Sequence, residues 1–283
     1  MTANDVVAKV KHLAPISQAA VGLIGMLDQP NACNDDIVNV LKIDNVLTAK
    51  LLRACNSSYF GLADTVASID QAVLWLGHQQ ILHMALSLAF SHSMSALVKD
   101  QVQDARELWR HSLITGLAAE CLVKATDSIE LDPGVAFTAG LLHDLGKVVL
   151  RNILTPEFQV AIRDQIERQD LSEPEAERAV LGVDHAEVGK CLLASWHLPA
   201  GILEAVEHHH HPVTRPKPAL SSVVHAADQL AYLVDANLDW ETFARQTDPE
   251  VVEAFALDRQ KTENLMIAAH DSMSQVENLM KWV

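Results

Sequence analysis

The sequence predicts an all-α protein, and three observations support this prediction. Leucine and alanine dominate the apolar residues, and both favour helix over strand. Apolar residues recur at spacings of three and four along most of the chain, as they do on one face of a helix. Residues that cap or stop helices separate these stretches, and no stretch shows a convincing strand pattern. We therefore expect a helical bundle preceded by an all-helical N-terminal subdomain.

Length and composition indicate a soluble globular protein. The chain has 283 residues, of which 49% are hydrophobic, enough for one large domain or two smaller ones. No apolar run reaches the length of a membrane span, and the N-terminal residues lack the apolar centre of a signal peptide. The four cysteines are scattered and form no CxxC pair, which fits a reducing compartment. We expect a cytoplasmic protein that does not bind a membrane.

The charge of the chain disfavours one class of partner. The formal net charge is −16 at pH 7, whereas binding to duplex nucleic acid needs a basic surface. A small anionic ligand is compatible with this charge, because a bound metal ion reverses the local field. We thus expect no duplex nucleic acid partner.

Capping residues divide the first 100 residues into helices. The segment "QAAVGLIGMLDQP" predicts a helix that stops at Asp28-Gln29-Pro30. Asp44 and Ser68 are the predicted N-caps of two later helices, and Gly77 is the stop of the second. A long apolar helix is predicted over residues 78–98.

A polar segment, residues 99–108, separates two halves of the chain. We predict an N-terminal subdomain over residues 1–100 and a second one over residues 101–283. The segment lacks proline and glycine, so that a continuous helix and a flexible linker remain alternatives. Ten of the fourteen histidines lie after residue 100, which indicates that the two halves have different roles.

Helical signals continue through the second half. Asp132 before Pro133 predicts a helix start, and Asp184 with Glu187 has the spacing of a capping box. The helix that begins at Asp184 is predicted to end at Pro199. On an earlier helix, spacings of three and four place His111 on an inward face, which carries Leu108, His111, Thr115, Ala118 and Leu122.

Imidazole and carboxylate groups occupy inward or helix-end positions of the second half. They come from separate predicted helices, so they form one site only if these helices converge. A mixture of imidazole and carboxylate suits iron, manganese, zinc or a similar divalent ion. The candidates are His111, His143, Asp144, His185, His209, His210 and Asp228.

Each candidate also has a structural alternative. A lone histidine on an apolar face, such as His111, is commonly a hydrogen-bonded core residue. Asp228 can pair with His225 three residues earlier, and a helix-end residue such as His143 can bond to backbone. The histidines at 208–211 can form a solvated helix end, since imidazolium suits the negative terminus of a helix. These alternatives explain single residues better than they explain the whole set.

The segment "AGLLHDLGKVVL" resembles the signature of the HD superfamily, which consists of all-helical metal-dependent phosphohydrolases. The superfamily pattern is a histidine, then a His-Asp pair, then a distant aspartate. His111, His143, Asp144 and Asp228 match this pattern in order and type.

The HD-GYP phosphodiesterase branch of the superfamily adds a histidine in HxxxG and a His-His pair. "HAEVG" supplies His185, and the four-histidine run supplies the pair, His209 and His210, with a register uncertain by one residue. The GYP tripeptide is absent, which argues against hydrolysis of cyclic di-GMP.

Over about residues 10–235 the chain more specifically resembles the HDOD family, the HD-related output domains of bacterial signalling. "IDNVLTAKLLRACNSSYFG" and "SIDQAVLWLG" are similar to the N-terminal signature of that family. "LWRHS", "HAEVGKCLLASWHLP" and "VEHHHHP" are similar to its second half. The chain departs from the family at Asn45, where proline usually follows the aspartate.

The resemblance implies one or two divalent transition metal ions and a phosphoester or nucleotide substrate. His111, His143, Asp144 and Asp228 would hold one ion, and the remaining histidines of the set would hold the second. Metal ions of this kind activate water and neutralise phosphate charge. Asp144 and Lys147 are the candidate catalytic residues, with Lys147 placed to contact a phosphate oxygen or, alternatively, to be a solvated helix residue.

HDOD domains are often regarded as regulatory, which implies a second class of function. The chain would then be an output module that binds signalling protein partners or a nucleotide without turnover. Its working surface would lie in the N-terminal half, including Asn56, Ser57, Ser58 and Tyr59, although capping of the preceding helix is the commoner use of such residues.

Overall fold

All regular structure in the described part of the chain is helical, which confirms the all-α prediction. The structure is a computed structural model, and it describes residues 1–9, 18–27, 34–57, 60, 62, 64–97, 102–127, 129–214, 219–236 and 240–280. No helix within these residues is long and apolar enough to cross a membrane. The helices in chain order are α1 (Ala3–Lys9), α2 (Gln18–Leu27), α3 (Asn34–Lys42), α4 (Asn45–Cys55), α5 (Ile69–Leu76), α6 (His78–Leu97), α7 (Val102–Lys124), α8 (Pro133–Leu142), α9 (Leu145–Ile153), α10 (Pro156–Gln169), α11 (Glu173–Leu181), α12 (His185–Ser195), α13 (Ala200–His208), α14 (Leu220–Ala236), α15 (Trp240–Gln246), α16 (Pro249–Ala254) and α17 (Arg259–Met280).

The predicted caps are present at α4 and α5 in the N-terminal half. The carboxylate of Asp44 accepts hydrogen bonds from the amides of Val46 and Leu47, and Ser68 caps α5 in the same way. Gly77 ends α5 with a φ of 83°, a value that suits glycine. The predicted stop at residues 28–30 and the predicted boundary at residue 100 both lie outside the described residues.

The side chain of Asn56 stabilises the loop that follows α4 through hydrogen bonds. Its amide donates to the carbonyls of Leu52 and Val66 and accepts from the Val66 amide, at 2.7–2.8 Å. Ser57 is buried, while Ser58 and Tyr59 lie outside the described residues. The side chain of Asn56 is therefore used for structure.

The main hydrophobic cluster contains buried side chains from both halves of the chain. Leu51 and Phe90 belong to the N-terminal half, and Phe137 and Val149 to the second half. A second cluster, which includes Leu230 and several side chains of α7 and α15–α17, packs α14 against α7. These two clusters fix the helices that carry the candidate residues.

Glycines allow helices to approach closely near the candidate residues. A Cβ at Gly140 of α8 would lie 2.8 Å from Cα of Gly116 on α7. A Cβ at Gly146 of α9 would lie 1.8 Å from the carbonyl oxygen of His185 on α12. Only glycine fits at these contacts, because real side chains do not come so near to backbone.

The prediction that the helix after Asp184 ends at Pro199 is wrong, because α12 ends at Ser195. After α12, His197 adopts a positive φ of 60°. The next residue, Leu198, is buried, and its amide donates to the carbonyl of Leu193. Pro199 instead lies directly before α13.

Candidate metal centre

Five segments bring the candidate residues together. His111 lies in α7, and Asp228 lies in α14, which packs against α7. His143 and Asp144 form the junction between α8 and α9. His185 begins α12, and the pair His209 and His210 follows α13.

Asp144 stands between two groups of histidines. Its Oδ2 atom lies 3.4 Å from His143 Nε2 and 3.9 Å from His111 Nε2. Its Oδ1 atom lies 3.4 Å from His185 Nε2 and 3.8 Å from His209 Nε2. The two oxygens of one carboxylate thus face two different sets of imidazoles.

Among the described residues, three overlapping triads have ligand atoms within 4.8 Å of one another and could hold a metal ion. The first joins His111 and His143 with Asp228, which lies 2.9 Å from His111 Nε2. The second joins His185, His209 and His210. The third joins His143, Asp144 and His209, and connects the first two.

Hydrogen bonds at Nδ1 orient three of these imidazoles. His143 donates to the carbonyl of Gly140, and His209 to the carbonyl of Val206, both at 2.7 Å. His185 Nδ1 donates to the buried carboxylate of Glu177, also at 2.7 Å. In each ring Nε2 therefore faces the centre, the arrangement in which metal-binding histidines are held by a partner on the other nitrogen.

Several buried polar atoms of the centre lack a hydrogen bond. They are the Nε2 atoms of His143 and His209 and the Oδ1 atom of Asp144. All three residues are at most 1% exposed. Unpaired polar atoms in such positions are costly, and a cation bound among them would remove this cost. The donor set, imidazole nitrogen with carboxylate oxygen, therefore fits a divalent transition metal ion.

The carboxylates of the centre are held in their charged form. Burial alone raises the pKa of Asp144, but the neighbouring His143 and Lys147 hold this pKa well below its ordinary value. Burial also raises the pKa of Asp228, but the hydrogen bond from His111 and the nearby imidazole of His143 lower it well below the ordinary value. Two negative charges consequently face the same small volume.

The imidazoles divide into neutral and charged ones. Burial lowers the pKa of His209 well below its ordinary value, and burial with the neighbouring His185 lowers the pKa of His210 to about 3. Burial opposes protonation of His143 as well, but Asp144 outweighs it and raises the pKa of His143 to about 10. A positive charge is therefore favoured at His143, while the rings of His209 and His210 are neutral and do not repel a metal cation.

The four-histidine run has one register in the structure. His209 is fully buried, and His210 Nε2 lies 2.8 Å from His185 Nε2. The side chain of His208 is 46% exposed and faces Glu207, and His211 is exposed. The pair that faces the centre is therefore His209 and His210, as the resemblance implies.

The side chain of Lys147 is largely buried and forms two ion pairs. Its ammonium lies 2.9 Å from Asp144 Oδ2 and 2.9 Å from Glu173 Oε2, and its side chain is 14% exposed. Burial lowers the pKa of Lys147, but these carboxylates raise it well above the ordinary value. A permanent positive charge therefore stands at the edge of the centre.

A cavity of about 430 Å³ leads to the centre. Several of its walls lie one helical turn from a candidate ligand: Lys147 follows Asp144 on α9, and Tyr232 follows Asp228 on α14. Tyr232 also places its ring edge against His111, with centroids 5.4 Å apart. The cavity is lined by Glu107, Leu108, His111, Asp144, Lys147, Arg151, Glu173 and Tyr232.

Sequence reasoning missed two residues that support the centre and misassigned a third. Glu177 and Glu173 are two of several glutamates in α11, and nothing in the local sequence distinguishes them from solvated ones. The alternative pairing of His225 with Asp228 is wrong. His225 Nδ1 donates to the carbonyl of His209, and its Nε2 accepts from the Asp248 amide, so this ring holds the backbone of a candidate ligand.

Solved structures share this fold at low sequence identity. An HDOD domain protein of Geobacter sulfurreducens is 24% identical with a TM-score of 0.73, and the match covers 99% of this chain and 95% of that one. A candidate phosphohydrolase of Shewanella amazonensis is 21% identical with a TM-score of 0.70, over 97% of both chains. A candidate signal transduction protein of Marinobacter aquaeolei is 21% identical with a TM-score of 0.76, over 96% of this chain and 60% of that one. At these identities the likeness shows the fold alone.

A relative among curated proteins and a family model extend the comparison to sequence. An uncharacterized protein of Treponema pallidum is 26% identical over 254 residues, which are 89% of this chain and 47% of that protein. The chain thus spans about half the length of the curated relative that it matches. The family model of the HDOD domain matches residues 13–212, a range that includes both halves and most of the candidate ligands. The chain belongs to the HDOD family.

Proposed function

We propose that the chain is a metal-dependent phosphohydrolase that acts on a phosphoester or nucleotide in bacterial signalling. The observation that carries the proposal is the group of buried ligand atoms without hydrogen bonds around Asp144. Imidazoles that are oriented through Nδ1 support the same interpretation, because such pre-organisation is typical of metal ligands.

The residues of the centre would divide between two ions. His111, His143 and Asp228 would hold one, and the three remaining histidines of the set would hold the other. Asp144 would bind both, since its two oxygens face different groups. Ions of this class lower the pKa of water and neutralise phosphate charge when bound.

The chain itself would contribute orientation and charge. Lys147 places an ammonium at the edge of the centre, where it would bind a phosphate oxygen. Arg151 places a second cation one turn farther out. The enclosed position of Asp144 and His143 excludes bulk water, which strengthens every electrostatic contact in the site.

The first test is the metal content of protein without a histidine tag, measured by elemental analysis after loading with iron, manganese or zinc. Wild type should carry one or two ions per chain, and Asp144→Asn should lose most of them because it removes the shared carboxylate charge. His208→Ala is the matched control, since this exposed neighbour of His209 faces away from the centre. A metal-free wild type after loading would contradict the proposal.

Turnover is tested separately on the loaded protein. Phosphomonoesters, phosphodiesters and nucleotides should be screened, and activity on at least one of them should disappear in Asp144→Asn but persist in His208→Ala. If the protein binds metal but turns over no substrate in the screen, the proposed metal site stands and the proposed hydrolase activity is rejected.

A second function, recognition of signalling partners, is favoured by one observation. Large apolar side chains are exposed on α4, on α5 and in the turn before α4: Ile43 at 72%, Val46 at 60%, Leu74 at 79% and Trp75 at 40%. Exposed groups of this kind often mark interaction sites. If this surface binds a partner, crosslinking should capture a complex with the wild-type protein. Leu74→Asp should abolish this complex, whereas Asp144→Asn should retain it.

A further inference from the structure

We propose that Glu173 is an internal competitor for Lys147, so that a substrate phosphate must displace the Glu173 carboxylate in order to bind. The inference rests on the proposed function, because it concerns the phosphate position of the same site. It assigns to Glu173 a role that neither the sequence pattern nor the metal centre requires.

The geometry places Glu173 on the solvent side of the lysine. The ammonium of Lys147 contacts Asp144 Oδ2 on its inner side and Glu173 Oε2 on its outer side, at 2.9 Å each. The Glu173 side chain is 43% exposed, whereas that of Lys147 is 14% exposed and that of Asp144 is 1% exposed. A phosphate that enters through the cavity therefore meets the carboxylate before it meets the ammonium.

Charge balance makes this contact a barrier to anions. Among the ionised residues that line the cavity, Glu107, Asp144 and Glu173 are negative and Lys147 and Arg151 are positive, so the side chains alone, without a metal ion, have a formal charge of −1. Lys147 is already paired with two of the carboxylates. A phosphate at Lys147 must therefore break an ion pair and also approach a like charge.

The side chain of Glu173 is the part that would move. Glu173 and Glu177 lie four residues apart on α11, and hence on the same face of the helix. Glu177 is buried and accepts hydrogen bonds from the amide and the ring of His185. This contact anchors α11 to the centre, while the exposed carboxylate of Glu173 is able to rotate away from Lys147.

The test is a calorimetric titration of inorganic phosphate into the full-length, manganese-loaded protein. Glu173→Gln should bind phosphate about tenfold more tightly than wild type, the effect of losing one charged hydrogen bond. Glu173→Asp should also bind more tightly, because its shorter side chain keeps the charge but falls short of Lys147.

Two controls isolate the contact with Lys147. Glu175→Gln changes a neighbouring carboxylate that is bonded to Ser172, and it should leave the affinity for phosphate unchanged. In a Lys147→Met background, Glu173→Gln should give no gain in affinity, because the group for which it competes is gone.

The outcomes separate this inference from the proposed function. Wild-type affinity in both Glu173 variants overturns the competition and leaves the phosphate site standing. If Glu173→Gln binds phosphate more tightly but Glu173→Asp does not, the effect of Glu173 is charge repulsion alone, and the competition is overturned. An equal gain in affinity from Glu173→Gln in the Lys147→Met background also overturns the competition. Failure of wild type and every variant to bind phosphate overturns the proposed function itself.

Discussion

Single residues of the centre depend on partners that are distant in the sequence. His185 is oriented by Glu177, which lies on a different helix, and the backbone of His209 is held by His225 from α14. The ligand types themselves were recognisable, because a His-Asp pair within an apolar segment is costly without a cation or another partner. The residues that support these candidate ligands were not recognisable from the sequence, because a glutamate that supports a ligand is chemically the same as a solvated one.

Glu177→Gln tests this support. The amide of glutamine keeps the shape of the side chain but removes the charge that orients His185, and we expect metal affinity to fall by about 10- to 100-fold. Competition with a chelator of known affinity measures the change. Glu167→Gln, an exposed substitution on α10, is the control and should match wild type. Unchanged metal affinity in Glu177→Gln would show that metal binding does not depend on the contact between Glu177 and His185.

Helices meet at the centre through backbone contacts that only glycine permits. α9 and α12 touch where Gly146 faces the carbonyl of His185 and the amide of Gly189. This contact brings Asp144, at the start of α9, to His185, at the start of α12. The sequence indicates both helices, but the need for glycine at residue 146 appears only when the helices are packed.

Gly146→Ala should therefore destabilise the protein. A Cβ would lie 1.8 Å from the His185 carbonyl oxygen, and because backbone cannot give way as a side chain does, we expect a loss of about 3 kcal/mol or more in the free energy of unfolding. Gly201→Ala on α13 meets nothing within 4 Å and should gain about 0.5–1 kcal/mol. Urea unfolding of both variants measures the difference, and equal stability would contradict the close packing of α9 on α12.

At the scale of the whole molecule, the core joins the two halves of the sequence. Phe90 from α6 and Phe137 from α8 are both at most 2% exposed in the same cluster. The candidate metal centre lies among the helices that this cluster supports. The predicted division at residue 100 remains a prediction, and a shared core is a reason to expect that both parts unfold together.

Phe90→Ala tests that expectation. Removal of this buried ring should cost about 3–5 kcal/mol in the free energy of unfolding, although residue 90 lies far from the ligands in the sequence. Leu74→Ala, at an exposed position, should change stability by less than about 0.5 kcal/mol. Tryptophan fluorescence and metal release should follow one transition. If Phe90→Ala released its metal at the same unfolding midpoint as wild type, the two halves would instead unfold independently.

Metal removal should lower the stability of the folded chain. An ion that binds the native state alone stabilises it by about 2.7 kcal/mol when its free concentration is about 100 times Kd. A chelator should therefore lower Tm in wild type and in His208→Ala, and should have little effect on Asp144→Asn. An identical Tm for wild type with and without manganese and chelator would contradict metal binding.

The sequence by itself determined the all-α class and the caps at Asp44, Ser68 and Asp132, and it supplied the chemical types of the candidate ligands, because helix periodicity, capping and donor chemistry are local properties. Tertiary structure alone decided that His111, Asp144, His185 and their neighbours converge. It also placed Glu173 on Lys147 and left only glycine at residue 146. These features depend on distances between helices, which are set by the packing of the whole core and are not encoded in any one segment.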